Sequence, residues 1–200
     1  MSPGRGAILR VKWRGCVNLA GRLIVADHPF QDFVRRNRLI LALGGVVYVL
    51  DQLAKWLVVQ TLPVIGEEKS VIPGFFKFVH WVNTGAAWSL FSGNNPGLAI
   101  IGFVALILLV CTHQHFHAQT LAGRVAFGLI FGGIAGNLTD RVLPGRHAVV
   151  DFLYFYLQPR GGNIIDFPAF NLADSAICTG VGLIFLISWK SEPHKKPAES

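Results

Sequence analysis

The stretch FNLADSAICTGVGLIFLISWK, residues 170–190, sets a carboxylic acid, Asp174, at the mouth of an apolar run about as long as the roughly 20 residues a helix needs to cross a bilayer. An ionised side chain there is unfavourable unless something pairs with it, which makes an acid at such a place a candidate for function. A structural role fits equally. Asn171 at the N-cap and Asp174 three residues on form a variant of the capping box, and a carboxylate in the first turn suits the positive end of the helix dipole. These residues alone leave both roles open, so the rest of the chain has to supply the partner.

The composition around this stretch is that of a membrane protein. Of 200 residues, 52% are hydrophobic and 14% charged, against about 25% charged in a soluble domain, and the mean hydropathy is +0.48. The net charge of +7 comes from Lys and Arg that flank apolar segments. They form no single face interleaved with aromatics, which argues against nucleic acid and for membrane lipids with anionic headgroups as the partner. Cys16, Cys111 and Cys178 are scattered with no C-x-x-C pair, so neither a disulfide framework nor a zinc knuckle is indicated.

Three further apolar runs, at residues 39–59, 97–113 and 121–138, join the one at 172–189. Two of the four are short for a span, and a soluble bundle of buried helices is the alternative. Four spans put both termini on one side. Arg35, Arg36, Arg38, Arg124, Lys190, Lys195 and Lys196 mark that side as cytoplasmic by the positive-inside rule. The connections 60–96 and 139–171 then face outward, and both far exceed the about 12–15 residues of an ordinary loop. VIPGFFKFVHWVNTGAAWSLF, from Val71, has the β-branched and aromatic content of short strands. A small sheet on the outer membrane surface is expected at residues 64–92, with Phe75, Phe76, Trp81 and Trp88 in the interfacial belt.

The expected architecture is a membrane all-α bundle of four transmembrane helices with a small extracytoplasmic β-sheet, occupying residues 35–190. Residues 1–34 form a basic extension without a sustained apolar core, which argues against a cleaved signal peptide. Residues 191–200 are polar and Pro-containing and are expected to be a disordered cytoplasmic tail.

The third run carries Gly128, Gly132 and Gly136 at four-residue spacing, a doubled G-x-x-x-G that lets another helix approach its backbone closely. Ala176 and Gly180 on the fourth run offer a matching surface. That pairing would bring together the outer ends that hold Asn137, Asp140, Arg141, Asn171 and Asp174, with Asp151 on the connection between them. Counting ~1.5 Å per residue from Leu39, Asp51 lies about 18 Å along its helix and reaches a similar depth.

Most of these acids have a structural reading. Asp140 is adjacent to Arg141 and can pair with it, and Asp51 can pair with Lys55 one turn on. Asp166, in GGNIIDF, reads as a solvated turn residue. Asp151 differs, because it interrupts the apolar stretch 148–157 with no adjacent cation. Were it to meet Asp174, two carboxylates a few Å apart would share one proton, leaving a general base and a general acid. That chemistry hydrolyses peptides: the base activates a water and the acid protonates the leaving amine. Ser89 and Ser175 have no nearby His or Lys in the pattern of a serine nucleophile. His113, His115 and His117 alternate as some metal-binding tracts do, but they fall on the cytoplasmic side, away from the polar cluster, and read as a solvated loop. His147, beside Arg146, reads as an interfacial residue.

In order along the chain, LDQLAKW from Leu50, VNTGAAWSLF from Val82, GGIAGNLTDR from Gly132, VVDF from Val149 and FNLADS from Phe170 are similar to the motifs of the lipoprotein signal peptidases (signal peptidase II). These are bacterial aspartic peptidases of the inner membrane, and the resemblance covers about residues 39–190. It implies a four-helix enzyme with an extracytoplasmic β-cradle. Such an enzyme removes the signal peptide of a diacylglyceryl-modified prolipoprotein by cleaving before the lipidated cysteine, with no metal or other cofactor. A monomer is expected. The resemblance carries the catalytic pair onto Asp151 and Asp174, and supporting positions onto Asp51, Asn83, Gly133, Asn137, Arg141 and Asn171. Trp88 stands where the family usually has Phe, and Thr139 where an aromatic is frequent, departures that bear on substrate preference more than on mechanism. Two other classes compete. One is a small transporter using the same acids for ion-coupled flux; the other is a scaffold in which Gly132 matters and the acids do not.

Overall fold

A computed structural model describes residues 29–85, 93–113, 120–146, 148–159 and 162–191. The expectations for residues 1–28, for Trp88, Ser89, His115, His117 and His147, and for the tail from 192 lie outside the described residues. The elements run α1 (Pro29–Thr61), β1 (Glu68–Ile72), β2 (Phe76–Asn83), α2 (Asn95–Thr112), α3 (Leu121–Val142), β3 (Val149–Leu157), β4 (Ile165–Asp166) and α4 (Leu172–Ser191). All four helices are long and apolar enough to cross a membrane. α1 starts well ahead of the expected span, so Arg35, Arg36 and Arg38 lie inside the helix. The chain divides into two compact units after Arg36, and all packing described below belongs to the unit from Asn37 onward.

Local chemistry sets the helix starts. Asn94 caps α2 by accepting from the Gly97 N–H at 3.1 Å, with Pro96 in the first turn where its missing N–H is harmless. Thr120 caps α3 by accepting from the Gly123 N–H at 3.0 Å. At α4 the capping box is reciprocal: Asn171 Oδ1 accepts the Asp174 N–H at 3.0 Å, while Asp174 Oδ2 accepts the Asn171 N–H at 3.2 Å.

Glycines then allow close approach on two sides of α3, the most buried of the four helices. A Cβ on Gly128 would stand 2.7 Å from Leu43 Cβ, and one on Gly132 would stand 2.7 Å from Val47 Cβ. The stripe Gly128, Gly132 and Gly136 therefore packs on α1, a correction to the expectation that α4 covers it. α4 takes the adjacent side instead, where a Cβ on Gly133 would meet the Ala173 carbonyl oxygen at 2.5 Å and one on Gly180 the Ala126 oxygen at 2.7 Å. One helix with two glycine faces lets both neighbours in, because packing between membrane helices depends on van der Waals fit where lipid supplies no hydrophobic drive.

The sheet is antiparallel in the order β1-β2-β3-β4. Pro73 and Gly74 turn β1 into β2, with Gly74 at φ +79 and the Phe75 N–H bonded to the Ile72 oxygen at 3.0 Å. The sheet was expected from residues 64–92 alone. Instead, half of its strands come from the second outer connection, where β3 runs along the stretch that Asp151 interrupts. Asp166 lies in β4, exposed as expected but in a strand and not a turn, and it accepts from the Tyr154 hydroxyl at 3.1 Å. Val150 and Phe152 on one face of β3 pack with Val58 and Leu62 near the end of α1, which seats the sheet on the bundle.

Candidate active site

β3 is buried at four successive residues, Val149 to Phe152, so both of its faces meet protein. Alternation sends Val150 and Phe152 into the core and Val149 and Asp151 into a cavity of about 740 Å³. Register against β2 is adjusted by a bulge. Phe78 pairs with Leu153 and Trp81 with Asp151, so three steps on β2 oppose two on β3. Consecutive residues Val79 and His80 are both buried there, and a bulge of this kind re-aims the side chains that follow it. Beyond the bulge, Asn83 Nδ2 donates to Asp151 Oδ2 at 2.9 Å.

The start of α4 is stitched to the same strand. The Phe170 oxygen accepts from the N–H groups of Phe152 at 3.0 Å and Leu153 at 2.9 Å, and the Phe170 N–H returns to the Leu153 oxygen at 3.1 Å. This fixes Asn171, fully buried, beside Asp151. Its Nδ2 donates to Asp151 Oδ1 at 2.8 Å while its Oδ1 and N–H complete the capping box with Asp174. One asparagine thus holds both acids, 23 positions apart in the chain, against one cavity. Asn137 of α3 donates to the remaining oxygen, Asp174 Oδ1, at 2.7 Å.

The two carboxylates are surrounded by neutral donors. Among the described residues neither makes an ion pair. Burial first, and then the Asp174 carboxylate nearby, push Asp151 up to about 7 against the opposing pull of the Asn83 and Asn171 amides. An acid with that value stands near the midpoint of its titration at neutral pH, so it can both hold and release a proton.

A second polar cluster lies behind the first. Lys55 Nζ stands 2.8 Å from Asp51 Oδ2 and 2.7 Å from Asp140 Oδ2, with all three side chains fully buried. Arg146 meets Asp140 Oδ1 at 2.7 Å. Asp51 therefore pairs with Lys55 as expected, and its Oδ1 also accepts the Ala173 N–H in the first turn of α4 at 3.0 Å. The pairing expected between Asp140 and Arg141 does not form. Side chains adjacent on a helix point in different directions: Asp140 turns inward to Lys55, while Arg141 lines the cavity and donates to Asn95 Oδ1 at 3.0 Å and to the Gly85 oxygen at 2.7 Å. Gly133, a suspected site residue, is a packing position against α4. His113 is buried, with Nε2 3.0 Å from Asn37 Oδ1, and is not part of a solvated loop.

Three contributors escaped the sequence reading. Gln52 bridges Asp140 Oδ1 and the Gly136 oxygen, each at 3.2 Å. Asn95 receives Arg141, and Arg146 neutralises Asp140. Only Arg146 carried a signal, since the Pro144–Gly145 turn reverses the chain just ahead of it.

Four membrane-length helices, a small antiparallel sheet seated on them and two acids buried against one cavity define an integral membrane protein with a partly open site that holds a pair of acids. A family model described as signal peptidase (SPase) II matches residues 43–190. Relatives include a lipoprotein signal peptidase from Azoarcus sp. (strain BH72), 43% identical over 79% of this chain and 86% of its own length. Another, from Syntrophotalea carbinolica, is 37% identical over 76% of this chain and 92% of its own length. A solved structure described as a bacterial membrane enzyme superposes with a TM-score of 0.66 at 36% identity, covering 80% of this chain and 93% of that one. The chain belongs to the signal peptidase II family and is a membrane-spanning protease.

Proposed function

We propose that this protease is an aspartic endopeptidase that removes the signal peptide from diacylglyceryl-modified prolipoproteins, cleaving before the lipidated cysteine. The relatives' names support a lipoprotein substrate. One observation carries the aspartic mechanism: Asn171 holds Asp151 and Asp174 together on one cavity, with amide donors and, among the described residues, no cation in contact with them. Asp151, pushed up to about 7, holds the shared proton. Its partner draws a proton from a water, which attacks the scissile carbonyl; Asp151 hydrogen-bonds the carbonyl oxygen, and the leaving amine is protonated as the intermediate collapses. A cavity of about 740 Å³ suits a stretch of peptide with part of a lipid. Asp51, Asn83, Gly133, Asn137, Arg141 and Asn171 support this site by hydrogen bonding or close packing.

The charge pattern supports an inner-membrane enzyme with both termini cytoplasmic, the site on the outer side, and a lipid-anchored substrate arriving sideways from the bilayer. A monomer suffices, since one chain supplies both acids. The test is cleavage by the purified protein in detergent of a lipidated precursor and of its unlipidated form. Cleavage of the lipidated form alone is the expected result; equal cleavage of both removes the lipid requirement, and cleavage of neither removes the function.

A further inference from the structure

Lys55 is fully buried, and as an ammonium it has three N–H donors and no acceptor. Its ammonium forms ion pairs with Asp51 Oδ2 at 2.8 Å and Asp140 Oδ2 at 2.7 Å. If charge balance were its whole role these contacts would suffice, because Arg146 supplies the second cation for the two acids. The hydrogen bond it donates goes elsewhere, to Asn137 Oδ1 at 2.9 Å. An amide facing an ammonium must present its oxygen, so the NH2 group of Asn137 has to point the other way. That direction is Asp174, whose Oδ1 receives Asn137 Nδ2 at 2.7 Å.

We infer that Lys55 is a positioning residue for the reaction: by fixing which way the Asn137 amide faces, it obliges Asp174 to receive an N–H at Oδ1 and so keeps that oxygen free of the proton the two acids share. The inference rests on the reading of Asp151 and Asp174 as the catalytic pair. Without Lys55 the Asn137 amide could rotate and offer its oxygen, an arrangement that accepts a proton from a carboxylic acid instead of stabilising a carboxylate. The pair would then release its proton less readily. The charged groups around it are Asp51 and Lys55 of α1, Asp140 and Arg141 of α3, and Arg146 beyond α3.

The test uses Asp51→Asn/Lys55→Met, which removes one charge of each sign and leaves an acceptor for the Ala173 N–H. In detergent with a lipidated precursor, the double variant is expected to keep its melting transition and KM. Its kcat should fall about tenfold or more, and the basic limb of the kcat–pH profile should move upward by on the order of half a unit. Asn137→Ala, which leaves Lys55 between its two acids, should move the limb by a similar amount, and adding the double substitution to it should move the limb no further. An unmoved limb in Asn137→Ala overturns the inference even if the double variant does not fold. A folded double variant with wild-type kcat, or one whose activity falls only in proportion to its folded fraction, overturns it too. Asp151→Asn and Asp174→Asn run alongside: their inactivity keeps the catalytic pair standing when the inference fails, whereas activity in either removes the pair itself.

Discussion

Two groups of buried acids sit back to back in this protein, and their surroundings differ. Asp51 and Asp140 share Lys55 and Asp140 also meets Arg146, so their charges close into a compensated quartet in which the Asp51, Lys55 and Asp140 side chains are wholly excluded from solvent. Among the described residues, Asp151 and Asp174 receive only neutral N–H donors, from Asn83, Asn137 and Asn171, and both face a cavity. Cations in direct contact make the first pair part of the frame. Amides leave the second pair competing for protons, so burial and mutual repulsion set its behaviour. The same residue type thus serves as a fastener in one place and as a reagent in the other, according to what faces it.

The largest expected effect separates the two groups by activity. Asp151→Asn or Asp174→Asn should lower cleavage of a lipidated precursor by at least about 10³-fold while the melting transition in detergent stays put. A variant retaining half the wild-type rate would erase the distinction. The converse holds for the quartet: Asp140→Leu, which leaves Arg146 without its acid and Lys55 with Asp51 alone, should lower stability by about 3–5 kcal/mol, read as a large fall in Tm or loss of folded protein from the membrane. Unchanged melting would mean that the quartet does not hold the bundle.

Gly132→Leu probes the frame without touching charge. Its side chain would be driven into α1 at Val47, and a loss of roughly 1–3 kcal/mol or more is expected, with surviving folded protein still active. Full stability would show that α1 can move away freely.

The smallest effect is the most diagnostic of the open pair. With Asp151 at about 7, cleavage should decline as pH rises through about that value, because the pair loses its single proton. Asn83 donates to the charged form of Asp151, so Asn83→Ala should displace this limb to higher pH. Displacement to lower pH, measured as kcat/KM against pH, would contradict the hydrogen bond's role.

Several features could be read without coordinates. The capping box at Asn171 and Asp174 was readable because its two residues are three apart and its bonds are local. Asp51 with Lys55 was readable for the same reason, being one helical turn. The four spans were visible because the hydrocarbon core imposes a length on any chain that crosses it. By contrast, Asp140 beside Arg141 was misleading: adjacency in sequence says nothing of direction on a helix, and the true partners are Lys55 and Arg146. β3 was obscured because a strand buried on both faces shows no polar alternation, and its one polar interruption belongs to the site. The glycine stripe announced a close neighbour but not which helix would supply it.

The amino-acid sequence by itself determined the spans, the helix caps and the close-packing face, since each is written in residues a few positions apart. Tertiary structure decided which acids are neutralised and which are left with amides. That outcome depends on side chains from α1, β2, β3, α3 and α4 meeting at one depth, and no local pattern encodes the distance between residues far apart in the chain.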